Sequence, residues 1–267
     1  MSDAIADKLT GDRGIDGVVA MLQTASEGVY QGHNGWIRQP SATFRTVMER
    51  FKQAGFRVNA LAATHAEGHV FHQALEKNDF GGTARLFLDA PLCRPHLVSG
   101  GFENLIMGMR YEKVELYTKL PDGSIEARVV TPQYARPEAV VSTPLLSWDC
   151  TDGSGQDVIN PSWENVEAEL LRMDGAKYTM IAMIAGDDRN LTIGGGNGRY
   201  VASVVDGDKI FSLKNPDGAE ERYVYVIAGQ GSFYPENQVV GLSDVMHAVR
   251  CYFDNSAREP GLQWIEW

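Results

Sequence analysis

The sequence predicts an α+β fold, a mostly antiparallel sheet with flanking helices, arranged as two domains. Three observations predict it. The chain has 267 residues, more than one core usually needs. Its C-terminal part reads as short alternating strands separated by turn residues, with an amphipathic helix toward either end. Between the halves, Thr131 to Pro161 carries Pro132, Pro137, Pro144 and Pro161 and the polar, glycine-bearing tract Asp149 to Asp157. Such composition marks a link, expected near Asp152 to Ile159. It divides the chain into an N-terminal domain over 1–150 and a C-terminal domain over 160–267.

In chain order, Ile15 to Ala25 is apolar enough for a short helix. A second helix is expected from Ser41 to Ala54: Ser41 can cap it, and Phe44, Val47, Met48 and Phe51 recur at helical spacing. Gly55 ends it, and Phe56 to Leu61 and Arg85 to Asp89 read as strands. Tyr111 to Lys119 alternates in strand fashion. Pro121-Asp122-Gly123 turns it into Ser124 to Thr131, a hairpin. Beyond the link, Asn160-Pro161 starts a helix carrying Trp163, Val166, Leu170 and Met173 that ends at Gly175. Strands follow at 178–185, 190–193, 199–205, 209–213 and 221–228, the last with Tyr223 and Tyr225 on one face and Val224 and Val226 on the other. Gly229 to Pro235 reads as a loop and 238–240 as a short strand. Ser243 caps a final helix through Phe253, and Leu262 to Trp267 is a last strand.

Composition narrows the function classes. A formal net charge of -11 argues against non-specific nucleic-acid or anionic-membrane binding, which need positive surface, and suits a basic partner. Cys93, Cys150 and Cys251 are far apart and follow no metal or redox spacing, so they read as free thiols in a reducing compartment. The first residues lack a basic-then-apolar leader and no apolar run reaches the length of a membrane helix. A cytoplasmic protein is expected.

No catalytic constellation emerges. His65, His69 and His72 form the one histidine cluster, with Glu76 as a further donor. Imidazoles at i and i+4 can hold a divalent metal. The zincin pattern wants glutamate directly after the first histidine, where Ala66 stands, and Gly68 weakens the helix. Solvated or packed histidines is the preferred reading, and the expected sites include no metal, no cofactor and no catalytic residue. Gly194 to Gly198 resembles a phosphate loop, but a strand-like Arg199 to Val205 follows it rather than a helix start. It reads as a glycine-rich bend between paired strands. Asp187, Asp188, Asp206 and Asp208 sit in turns, which favour aspartate for backbone reasons and equally supply a negative rim for a basic partner. Phe233 and Tyr234 are either surface anchors or core, and so is Trp267.

An ordered series of motifs carries a resemblance: Pro161-Ser-Trp-Glu-Asn-Val-Glu167, Met173-Asp-Gly175, Leu191-Thr-Ile-Gly-Gly-Gly-Asn-Gly-Arg-Tyr-Val201, Gly229-Gln-Gly-Ser-Phe-Tyr-Pro235, Leu242 to Phe253, and Pro260-Gly-Leu-Gln-Trp264. From about Asn160 to Trp267 the chain resembles immunity protein family 1 of bacterial polymorphic toxin systems. The resemblance does not reach the first 150 residues. It implies an α+β domain that binds and neutralises a cognate toxin, often one of the nucleic-acid deaminase class, without catalysis or cofactor. Asp187, Asp188, Asp206, Asp208, Phe233, Tyr234 and Trp267 are the candidate partner-binding residues. The alternatives are a metal-dependent hydrolase built on the histidine cluster and an adaptor that binds toxin without inhibiting it.

Overall fold

The computed structural model describes residues 19–33, 49, 53, 65–92, 101–120, 122–132, 144–150, 154–186, 189–207 and 209–267. The expected helix at 41–54 and strand at 56–61 lie outside the described residues, apart from positions 49 and 53.

The N-terminal unit is a five-stranded mixed sheet. Its elements are β1 (Val19–Gln23), β2 (Val29–His33), α1 (Ala66–Glu76), β3 (Gly82–Leu88), α2 (Gly101–Gly108), β4 (Tyr111–Lys119) and β5 (Ile125–Val130). The strand order is β2-β1-β3-β4-β5. The expected hairpin is present as β4–β5, running from Val114↔Val130 to Lys119↔Ile125. Strands β3 and β4 are parallel, which a tight turn cannot accomplish, so α2 makes the crossover between them. Where Ile15 to Ala25 suggested a helix, Val19 to Gln23 forms β1 instead. Its residues 19–22 are all buried because the strand lies between β2 and β3, and a short apolar run has no period that tells strand from helix. Ala20, Leu22, Leu86, Leu88 and Leu116 of the sheet meet Val70 and Phe71 of α1 and Leu105 and Ile106 of α2 in one core. Asp79, just past α1, accepts hydrogen bonds from Thr24 Oγ1 (2.7 Å), Ser26 Oγ (2.6 Å) and Tyr30 Oη (2.8 Å), tying the β1–β2 turn to the helix end.

The second sheet has seven antiparallel strands. It comprises β6 (Leu145–Cys150), β7 (Gln156–Ile159), β8 (Tyr178–Gly186), β9 (Arg189–Gly196), β10 (Arg199–Asp206), β11 (Lys209–Leu213) and β14 (Trp264–Glu266). The order is β14-β11-β10-β9-β8-β6-β7. Strands β6 and β7 flank the tract read as an inter-domain link, yet they pair with each other, and β6 pairs with β8. The second sheet therefore starts before the expected boundary. Helices α3 (Trp163–Arg172) and α4 (Leu242–Asn255) cover one face. Helix α3 starts two residues later than expected, with Ser162 rather than Asn160 as its cap: Ser162 accepts from Asn165 N, and the Asn165 side chain accepts from Ser162 N. Helix α4 starts two residues earlier than expected, with Gly241 rather than Ser243 at its cap.

The other face of this sheet is buried as well. Along β10, Tyr200, Ala202 and Val204 point to the helices, while Val201 packs with Val226, Ala228 and Tyr234 of a separate hairpin, β12 (Tyr223–Ala228) and β13 (Gln230–Pro235). At the sheet's end, Phe211 and Leu213 join the helix side, whereas Ile210 and Trp267 belong to the N-terminal core. Cover on both faces is why β9 and β10 are buried almost end to end. Among the described residues, no helix is long and apolar enough to cross a membrane.

Candidate functional site

The motifs that carry the resemblance meet in space. Strands β9 and β10 are joined by the two-residue turn Asn197-Gly198, whose φ values of 51° and 79° are those of a type I′ hairpin. The glycine run is thus a bend between paired strands, as its sequence suggests. Just before the turn, Gly195 and Gly196 take φ of 114° and 144°. Gly196 bridges to Asp174, in the segment that leaves α3. The Asp174 carboxylate closes that segment by accepting from the amides of Ala176 (2.8 Å), Lys177 (2.8 Å) and Tyr178 (3.0 Å). These donors, the Ala176 amide foremost, hold it below the usual carboxylate range.

Beside this junction runs β12. A cleft of about 340 Å³ opens between Asp174–Gly175, the Gly195–Asn197 stretch with Arg199, and Tyr225 to Ile227. Hairpin register explains its rim. Pairs Val224↔Tyr234, Val226↔Ser232 and Ala228↔Gln230 alternate with Tyr225↔Phe233 and Ile227↔Gly231. Val226, Ala228, Gln230, Ser232 and Tyr234 are buried, so Tyr225 and Phe233 face outward. Tyr225 is 40% exposed, and its ring meets Phe233 edge-on at 5.2 Å.

The structure separates the sequence-predicted contact residues. Phe233 lies on the outward, half-buried platform. Tyr234, one position along the strand, faces the core and is 1% exposed. Trp267 is 6% exposed, its Nε1 donating to Ser212 Oγ at 2.9 Å. Neither is a surface anchor. Asp206 pairs across the β9–β10 ladder with Arg189 at 3.2 Å, so a cation offsets its charge. Asp187, Asp188 and Asp208 lie outside the described residues. Tyr225 was not among the candidates. The alternation of residues 223–226 carried the signal, but reading 229–235 as a loop hid its partner, Phe233.

The histidines occupy a different place. His65, His69 and His72 are buried, and His65 lies where the hairpin tip meets the start of α1. His65 Nε2 donates to the Ala228 carbonyl at 2.9 Å, and its Nδ1 lies 3.6 Å from Glu67 Oε1. His72 Nδ1 lies 4.0 Å from Glu76 Oε2. Among the described residues, no group of three or more His, Cys, Asp or Glu side chains is placed to hold a metal. Burial first, then repulsion from His72, His33 and His65, pulls His69 down to about 3. The sign follows directly: below an ordinary histidine pKa of about 6.5 the unfolded chain binds a proton that the folded chain refuses, so stability is full above that pH and falls toward 3. Urea unfolding at pH 5 is expected to give roughly 2 kcal/mol less stability than at pH 7.5 from this group, and His69→Gln should flatten that part of the profile. An unchanged profile in the variant would remove His69 as the cause.

No curated protein matches the sequence. Residues 154–266 match the family model described as immunity protein Imm1, and they include the α3 end, the glycine run and the β12–β13 hairpin. The match leaves residues 1–153 unassigned. Residues 154–266 thus form a region similar to the Imm1 immunity proteins, and the similarity supports an immunity role in general.

Proposed function

We propose that this protein acts in the cytoplasm by binding rather than catalysis. It neutralises a polymorphic toxin that acts on nucleic acid, such as a deaminase, by covering the toxin's active site. One observation carries the choice of face: two motif segments, Met173–Gly175 and Leu191–Val201, meet strand β12 at the cleft beside Tyr225, and β12 pairs with a third, Gly229–Pro235. An outward-facing, edge-on aromatic pair beside a cleft is the kind of anchor that dominates protein interfaces. The net charge of -11 supports a basic partner, because a nucleic-acid-directed toxin needs a positive groove.

The test is co-expression with the toxin domain encoded beside this protein's gene, followed by titration of the purified pair. Full-length protein is expected to restore growth and form a stoichiometric complex. Tyr225→Ala is expected to weaken that complex by about 2 kcal/mol, roughly thirtyfold, without lowering the protein's own melting temperature appreciably. Unaltered affinity would move the contact elsewhere. A complex in which the toxin stays active would favour the adaptor reading, and killing with no complex would end the immunity reading.

A further inference from the structure

Helix α1 begins without a cap of its own. Its N-cap residue is His65, whose side chain makes no capping bond to the helix. Helix starts leave amides that need partners, normally a nearby Ser, Thr, Asp or Asn. Here the Ala66 amide donates to Gln230 Oε1 at 3.1 Å, from a residue 164 positions along the chain. The same Gln230 amide group donates from Nε2 to Glu67 Oε2 at 3.3 Å, while His65 Nε2 donates to the carbonyl of Ala228, its neighbour across the hairpin. All of these side chains are buried: Gln230 is 4% exposed, Glu67 1% and His65 0%.

The hairpin needs such a hold. It belongs to neither large sheet, and a two-stranded ribbon alone is barely stable in water. Its inner face lies on the second sheet through Val226, Ala228 and Tyr234. At its tip, Gly229 N donates to Thr179 Oγ1 of that sheet at 3.2 Å. Further polar anchors come from the start of α1. We infer that residues 65–67 of the N-terminal unit, acting through Gln230, are positioning residues for the Tyr225/Phe233 platform. Residues 65–67, buried and outside the Imm1 match, thereby set the geometry of the binding hairpin. This rests on the proposed function for the role of the platform, though the lock itself does not depend on it.

The experiment uses the full chain and the toxin domain encoded beside it. Gln230→Met keeps bulk and removes both side-chain bonds. Amides of residues 223–234 are expected to exchange at least about tenfold faster in this variant, while those of β9 and β10 keep their protection. Toxin affinity is expected to fall by about tenfold or more. The exchanged pair, Glu67→Gln with Gln230→Glu, keeps one carboxylate, one amide donor and an acceptor for Ala66 N. It is expected to restore both readouts relative to Gln230→Glu alone, which sets two carboxylates together. A merely structural loss would lower β9 and β10 protection equally. Two results would overturn the inference: hairpin exchange unchanged in Gln230→Met, or a loosened hairpin with undiminished toxin affinity. Should Gln230→Met fail to fold, Glu67→Gln supplies the same comparison with a milder change. If the unmodified protein does not bind the toxin, the proposed function falls, and hairpin exchange still decides the lock.

Discussion

Gly196→Ala is expected to cost roughly 3 kcal/mol or more and to abolish toxin neutralisation at ordinary expression levels. Two effects combine. A φ of 144° is closed to residues with a Cβ. The added carbon would also lie 2.1 Å from Gly175 N and 2.6 Å from Asp174 C, both backbone. Relief would require separating the Asp174↔Gly196 bridge, which holds the end of α3 to the glycine run. Gly198→Ala is the control. Its φ is also positive, at 79°, but nothing stands within 4 Å of the added carbon. It should cost about 1 kcal/mol, the left-handed penalty alone. Urea unfolding of both variants gives the comparison. Equal losses would mean that conformational strain, rather than close backbone approach, explains the run.

The second large effect is at Trp267. Trp267→Ala is expected to cost about 3–5 kcal/mol, the range for deleting a buried aromatic. The ring belongs to the N-terminal core although its strand pairs within the second sheet: β14 pairs with β11, and Trp267 N donates to Ile210 O at 2.9 Å. The loss should therefore appear in both units at once. Probes placed in β3 and in β9 are expected to report one shared transition at lower denaturant in the variant. Trp267→Phe, which keeps bulk but removes the donor to Ser212 Oγ, should cost about 1–2 kcal/mol. If the N-terminal probe does not respond to Trp267→Ala, the shared core is not energetically shared.

What the sequence made legible was local. Tyr111–Lys119 and Lys209–Leu213 match their strands end to end, because polar–apolar alternation and flanking turn residues fix both limits. The α+β class and the antiparallel second sheet were readable for the same reason. The failures have physical causes. Residues 229–235 read as a loop since glycine and proline suppress strand signals, yet six of them pair with β12. Val29 to His33 and Leu145 to Cys150 went unassigned, because their partners are chosen by tertiary packing. The histidine spacing correctly marked an unusual place. Its meaning, a buried junction, depends on Ala228 and Gln230, which no pattern near residue 65 could reveal.

The remote cap on α1 also bears on the order in which the molecule assembles. A helix that ends its first turn on its own serine can complete that turn as soon as a dozen residues are in place. This one cannot: until residues 228–230 arrive, the Ala66 amide has only water, and closing so long a loop is entropically slow. The tip of the binding hairpin and the start of α1 are therefore expected to mature together and late.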